Sequence, residues 1–209
     1  MIQCPESGTI ASWTLVAANT LRGTPTIYYG DEIGMPQVPI PPDRIRDPFE
    51  RNVPGIGCGR DWARTPMQWD ATPHAGFSPV EPWLLVAARF EIDNVERQRR
   101  DPASIYNLHR RLITLRRHLP SLLIGRYRPV TANGDLLLFV REHEIERTLV
   151  GLNLGGDAIE VRFPDDQLRG EILVSSPGDR DGAVVAGPLT LSGNEGVVMA
   201  LAPGVVMPG

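Results

Sequence analysis

The sequence contains no lysine: all 21 basic residues are arginine. Such a skew reads mainly as coding bias, but it makes every cation permanent and gives each one a planar fork suited to carboxylates and hydroxyls. Cysteine is almost absent as well. Cys4 and Cys58 form no CxxC pair, which excludes a disulfide framework and points to a reducing compartment. No long apolar run occurs. The stretch 10–21 is broken by Ser12, Thr14, Asn19 and Thr20, and the first six residues carry no basic charge. Neither a signal peptide nor a spanning helix is expected, so the expected location is cytoplasmic with no membrane partner. An excess of positive charge is also lacking, since 25 acidic residues against 21 basic ones leave a net charge of −4. A nucleic-acid partner is therefore not expected. His74, His109, His118 and His143 show no HxH or HExxH spacing, so neither metal nor cofactor is expected. The glycine-rich stretch 55–59, which contains Cys58, lacks the Gly-Lys-Ser/Thr ending of a phosphate loop.

What is present suffices for one large or two small domains: 209 residues, 42% of them hydrophobic. Ile10, Trp13, Ala17 and Leu21 recur at helical steps, which predicts a helix over 9–22 stopped by Gly23. Pro25 to Tyr29 is a β-branched and aromatic run closed by Gly30, which predicts a strand over 26–29 buried on both faces. From 31 to 101 the chain is dense in Pro, Gly, Arg and Asp without sustained periodicity. A loop so far beyond the usual length of about 12–15 residues is functional or disordered, and Trp62, Trp69, Phe77 and Trp83 favour function. Asp101-Pro102 opens a predicted helix over 102–119, striped by Ile105, Leu108, Leu112, Leu115 and Leu119 and ended by Pro120. Its Arg110-Arg111 and Arg116-Arg117 pairs read as a solvated face. Beyond it, β-rich runs at 135–140, 148–154, 159–163, 171–175 and 197–201 alternate with turn signals, which predicts a small antiparallel sandwich or barrel.

Two constellations could carry chemistry. Asp31-Glu32 follows the predicted strand, where barrel enzymes place their chemistry. Adjacent carboxylates do not readily straddle a glycosidic bond, however, and capping of the turn is the competing reading. The second is the run 60–70, in which Arg60 and Arg64 bracket Asp61 beside Trp62 and Trp69. Arginine forks beside indole faces suit a polar, ring-shaped ligand. The same ions could instead pin the loop to its scaffold, and the residues alone leave both readings open.

The stretch 21–35, centred on Gly23-Thr24-Pro25-Thr26-Ile27-Tyr28-Tyr29-Gly30-Asp31-Glu32, resembles the last barrel strand and its exit in the α-amylase superfamily, glycoside hydrolase family 13. Arg46-Asp47-Pro48, Gly59-Arg60-Asp61, Arg64-Thr65-Pro66-Met67-Gln68-Trp69-Asp70, Ala75-Gly76-Phe77-Ser78 and Asp101-Pro102-Ala103-Ser104 follow in order. The succession is similar to the α-glucosidase and oligo-1,6-glucosidase branch over about 8–125, and the β-rich tail fits by type.

The resemblance implies an α/β plus all-β chain: the closing helix–strand–helix of a (β/α)8 TIM barrel over 1–119, with a long loop at about 31–101, then a small antiparallel β-sandwich over 120–209. It implies that Arg60 lines a sugar position, paired with an acid from an early barrel strand that this chain does not contain. It implies of Arg64, in the same motif, that it orders the loop or touches the leaving-group side. That family's nucleophile, general acid and Asn-His-Asp carboxylate precede the segment matching 23–30, and no Asn-His-Asp occurs here. Retaining hydrolysis needs two opposed carboxylates. The expectation is a partial α-glucosidase, inactive alone, whose parent acts on an α-glucosidic oligosaccharide or disaccharide, with a missing N-terminal barrel portion as a further expected partner. A noncatalytic carbohydrate-binding or interaction module is the alternative.

Overall fold

A computed structural model of the chain describes residues 9–56, 59–164 and 167–205. They group into two compact units, one built from the chain up to Thr26 and from Asn107 onward, the other from Ile27–Tyr106.

The first unit is dominated by eight short strands: β1 (Arg126–Asn133), β2 (Leu136–Glu142), β3 (Arg147–Asn153), β4 (Ile159–Val161), β5 (Arg169–Ser175), β6 (Val184–Ala186), β7 (Leu189–Leu191) and β8 (Gly196–Leu201). Six form one antiparallel sheet in the order β1-β2-β3-β8-β5-β6, and β4 pairs with β7 in a second. The five runs expected from the sequence are β2, β3, β4, β5 and β8. The structure adds β1, β6 and β7. Proline within a run argues against a central strand, but β1 is an edge strand, and its register shifts between Pro129 and Thr131. At three residues each, β6 and β7 are too short to display an alternation.

One face of the large sheet presents Leu138, Val140, Leu149 and Val197 to a cluster that also takes Val161 from β4 and Leu191 from β7. The opposite face carries Phe139, Val150 and Val198, all fully buried. Helix α1 (Thr9–Thr20) packs against β3 and β8 on this unit. Because both faces are covered, β2, β3 and β8 read as continuous apolar runs rather than alternating ones. Helix α4 (Ile105–His118) buries Leu108 and Leu112, and Pro120 then opens the short α5 (Pro120–Leu123), which packs on β2 and β3.

Three expectations are corrected. Helix α4 begins three residues after the predicted start at 102, because Asp101 Oδ1 accepts the Ala103 N–H at 3.0 Å and closes a separate turn. Gln98 Oε1 then accepts the Tyr106 N–H at 3.1 Å, satisfying a donor of the first helical turn. Arg116 is not on a solvated face, since it is only 8% exposed. The predicted strand at 26–29 forms no ladder, and Ile27, Tyr28 and Tyr29 are exposed rather than buried. A strand without neighbours cannot satisfy its backbone groups from a ladder. Instead the Tyr28 N–H donates to Asp31 Oδ2 at 2.9 Å, and the chain turns at Gly30 with φ 92°. Among the described residues there is no parallel sheet and no closed barrel.

The second unit corresponds to the long aperiodic stretch, and its order is local. It contains α2 (Pro48–Asn52), α3 (Val95–Arg100) and 3-10 turns at Asp31–Ile33, Pro42–Arg44, Asp61–Ala63 and Pro73–Gly76. Ile33, Met67 and Val95 form a small buried cluster with Met35 and Tyr106 against it. Elements of three to six residues carry too little sequence for a helical stripe, so capping residues set them. Asn94, for instance, accepts the Arg97 N–H at 2.9 Å to start α3.

Candidate functional site

Asp47 organises the site. Its Oδ1 accepts the Phe49 N–H at 2.9 Å, capping α2, while Pro48 occupies the first helical position, where no N–H is needed. The same carboxylate receives Arg60: Nε donates to Oδ2 at 2.7 Å and Nη2 donates to Oδ1 at 3.3 Å. The Arg60 backbone N–H adds a bond to Oδ2 at 3.1 Å. Arg64 Nη1 stands 4.0 Å from that oxygen. Asp47 is fully enclosed, whereas the Arg60 and Arg64 side chains are 59% and 42% exposed. Each guanidinium thus faces solvent beside a buried anchor.

The electrostatics follow from that arrangement. The Arg60 fork, then the Phe49 N–H, holds the Asp47 carboxyl well below the usual carboxylate range. Arg60 is raised in turn by the Asp47 hydrogen bond and charge, so it stays cationic. Asp61, next in the chain, returns the contact: its Oδ2 accepts the N–H groups of Arg46 at 2.6 Å and Asp47 at 2.8 Å. The two aspartates clasp each other's segments. Asp61 Oδ1 is buried without a partner among the described residues. Glu50 closes the loop between them, accepting from Gly59 N–H at 3.0 Å and Gly55 N–H at 3.2 Å.

Tyr29 reaches the same motif. Its single hydroxyl proton is shared between the Ala63 and Thr65 carbonyls, at 3.2 and 3.0 Å. Burial and the neighbouring Tyr28 push its phenol up, and the Arg64 charge opposes them. Trp62 and Trp69 remain partly open to solvent, with the Trp62 indole Nε1 donating to the Gly59 carbonyl at 2.5 Å. Downstream, Trp69 N–H donates to the Ala75 carbonyl at 2.9 Å, and Asp70 Oδ1 accepts the Thr72 N–H at 2.8 Å. Gly76, with φ 65°, completes this turn where a Cβ would lie 2.6 Å from Asp70 Oδ2.

The structure therefore brings Arg60 and Arg64 onto one carboxylate. Within the chain, Arg60 takes Asp47 as its acid partner. The signal was available, because Asp47-Pro48 is the same cap-plus-proline pattern as Asp101-Pro102. Tyr29 had no such signal, since its partners are carbonyls 34 and 36 residues away. The other candidate dissolves into local structure. Asp31 accepts from Tyr28, and Glu32 Oε2 accepts the Gly30 N–H at 2.7 Å, so both carboxylates cap their own turn. Among the described residues no group of three His, Cys, Asp or Glu side chains could hold a metal ion, and no helix is long and apolar enough to cross a membrane. Cys4 and Cys58 lie outside the described residues.

Comparison with known proteins identifies the family. The family described as alpha amylase, catalytic domain, matches residues 7–125. The chain belongs to the α-amylase family. Among curated members, it is 33% identical over 149 residues to a probable alpha-glucosidase of Rhizobium meliloti (strain 1021), covering 71% of this chain and 27% of that protein. It is 34% identical over 165 residues to an oligo-1,6-glucosidase of Heyndrickxia coagulans, covering 70% of this chain and 30% of that protein. The chain thus spans less than a third of the length of these α-amylase family relatives. Among solved structures, trehalulose synthase MutB from Pseudomonas mesoacidophila MX-45 matches with a TM-score of 0.84 at 29% identity, over 96% of this chain and 40% of that one. Isomaltulose synthase PalI from Klebsiella sp. LX3 matches with a TM-score of 0.82 at 26% identity, over 93% and 38%.

Proposed function

We propose that this chain is the closing part of an α-glucosidase-type glycoside hydrolase, with Arg60 at a sugar position and Arg64 as its neighbour in the loop. The division at 1–119 and 120–209 then separates the end of a (β/α)8 barrel from a C-terminal sandwich. The observation that carries this reading is the Arg60–Asp47 fork. A buried carboxylate fixes one edge of the guanidinium while more than half of the side chain stays open. A cation held in place without being covered is suited to donate to sugar hydroxyls. The family match over 7–125 supports the substrate class, α-glucosidic oligosaccharides.

On this reading the chain does not hydrolyse glycosides by itself. Retention requires a nucleophilic carboxylate and an acid/base carboxylate about 5–5.5 Å apart. Asp47 and Asp61 are enclosed and committed to Arg60 and to backbone donors, and Asp31 and Glu32 cap a turn. The proposal assigns the reacting carboxylates to barrel strands outside residues 1–209. No cofactor is required, and a cytoplasmic location is part of the same reading.

Calorimetry with maltose and isomaltose tests it. The chain alone should give no saturable heat, because one wall of a pocket does not enclose a sugar. A longer form carrying the rest of a barrel should bind, and Arg60→Ala should weaken it by about tenfold or more, the loss expected for charge-assisted hydrogen bonds of about 1.5–3 kcal/mol. Saturable binding by residues 1–209 that Arg60→Ala abolishes would instead establish a noncatalytic carbohydrate-binding module.

A further inference from the structure

Burying one guanidinium is costly unless its donors are satisfied and its charge is compensated. The first unit buries two together. Arg116, on α4, is 8% exposed, and Arg141, on β2, is 1% exposed. Among the described residues neither forms an ion pair. Both instead donate to backbone carbonyls around the end of α1: Arg116 Nη1 to Asn19 at 2.7 Å and to Leu21 at 3.1 Å, and Arg141 Nη1 to Thr20 at 2.5 Å. Arg116 Nη2 also reaches the Gly23 carbonyl at 2.5 Å, and Arg141 Nη2 the Gly125 carbonyl at 2.9 Å.

These contacts explain part of the arrangement. Helix C-terminal carbonyls carry partial negative charge and accept from cations, so the two arginines cap α1 from neighbouring elements. They do not explain the rest. A guanidinium has five N–H donors, and Arg141 satisfies only two with these bonds; its Nε is buried with no partner among the described residues. The charges also oppose one another. Desolvation, then repulsion from Arg116 and Arg22, lowers Arg141, and no carboxylate among the described residues offsets it. The same three arginines line an open cavity of about 370 Å³, together with Gly23, Thr24, Pro25 and the 123–125 turn. Arg22 is exposed at this cavity and makes no hydrogen bond to a described residue.

We infer that this cavity binds a small oxyanion, a phosphate or a group of like charge and size, on Arg22, Arg116 and Arg141. An anion there would compensate three like charges and offer acceptors to the exposed Arg22 guanidinium. Arg116 and Arg141 are fixed by their carbonyl bonds and form the preorganised base of the site. Arg22 supplies the exposed third cation. The site lies wholly within the first unit and shares no residue with the Arg60 motif, so failure of phosphate binding and failure of the hydrolase reading are distinguishable.

Isothermal calorimetry of the whole chain with inorganic phosphate, at constant ionic strength set by sodium chloride, tests this. The expected result is one saturable site with a Kd of about 1 mM or tighter, and a melting temperature that rises with phosphate. Arg22→Gln should weaken phosphate by about tenfold. That substitution should not lower the phosphate-free melting temperature, because Arg22 is exposed, makes no hydrogen bond to a described residue, and repels Arg141. Arg22→Glu should abolish binding. Acetate in place of phosphate separates the two oxyanion classes: tighter binding of phosphate supports a dianion site, and equal binding supports a general carboxylate or phosphate site. Absence of saturable heat with either anion would overturn the proposal, and so would phosphate binding that Arg22→Gln and Arg22→Glu leave unchanged.

Discussion

The sandwich and the long loop solve the folding problem by different means. The sandwich buries Phe139, Val140, Leu149, Val150, Val197 and Val198 completely, so removal of apolar area from water holds it. The loop unit assembles only Ile33, Met67 and Val95 as an apolar cluster and otherwise relies on caps, turns and the Asp47 and Asp61 clasp. Hydrophobic burial tolerates many sequences, whereas a polar clasp depends on particular atoms. That is why the candidates for a sugar contact, Arg60 and Arg64, lie in the loop, their positions fixed by Asp47 and their outer edges open to solvent.

Substitutions should divide along the same line. The largest effect is expected for Phe139→Ala, which empties a fully buried site between β1, β3 and the helices and should cost about 3–5 kcal/mol in urea denaturation. A cost under about 1 kcal/mol would remove the claim that both sheet faces are packed. Arg141→Met comes next. It strips donors from the Thr20 and Gly125 carbonyls and should cost about 1–3 kcal/mol, reduced by the charge repulsion it relieves.

Asp47→Asn should act locally. The sandwich transition should stay where it is, while protease cleavage between residues 49 and 60 accelerates, because the Arg60 fork loses its charged acceptor. Acid should reproduce this effect. The Asp47 pKa is depressed on folding, so its contribution is present in full above the unfolded carboxylate value of about 3.9 and is lost as pH falls toward the depressed folded value. Loop cleavage by an acid-tolerant protease should therefore rise below about pH 4 in the native chain and much less in Asp47→Asn. Equal acid sensitivity in both would mean that another group controls the loop. The smallest effect is expected at the surface pair Glu96 and Arg100, 2.6 Å apart on α3, where Glu96→Gln should change stability by about 0.5 kcal/mol or less.

The sequence was most legible where burial sets the pattern. The five expected β-runs and the α4 stripe through Leu108 and Leu112 are all present, because apolar periodicity reports burial directly. It was least legible where local hydrogen bonds decide. The start of α4 moved because Asp101 and Gln98 cap separate turns. The 26–29 run has strand composition, yet composition cannot supply a ladder partner, and the chain turns through Asp31 instead. Arg60 and Arg64 stood out by residue type and spacing. Asp47 lies 13 residues from Arg60, and only its capping pattern marked it. Arg116 read as one of four similar helix arginines; its burial depends on the end of α1, 95 residues away for Leu21.

The central claim is that the loop presents a sugar-binding arginine while the reacting carboxylates are supplied elsewhere. Release of p-nitrophenol from its α-glucoside by purified 1–209 tests it most directly. The account predicts no release above the uncatalysed rate. Enzyme-like turnover that disappears when a carboxylate within this chain is changed to its amide would contradict it.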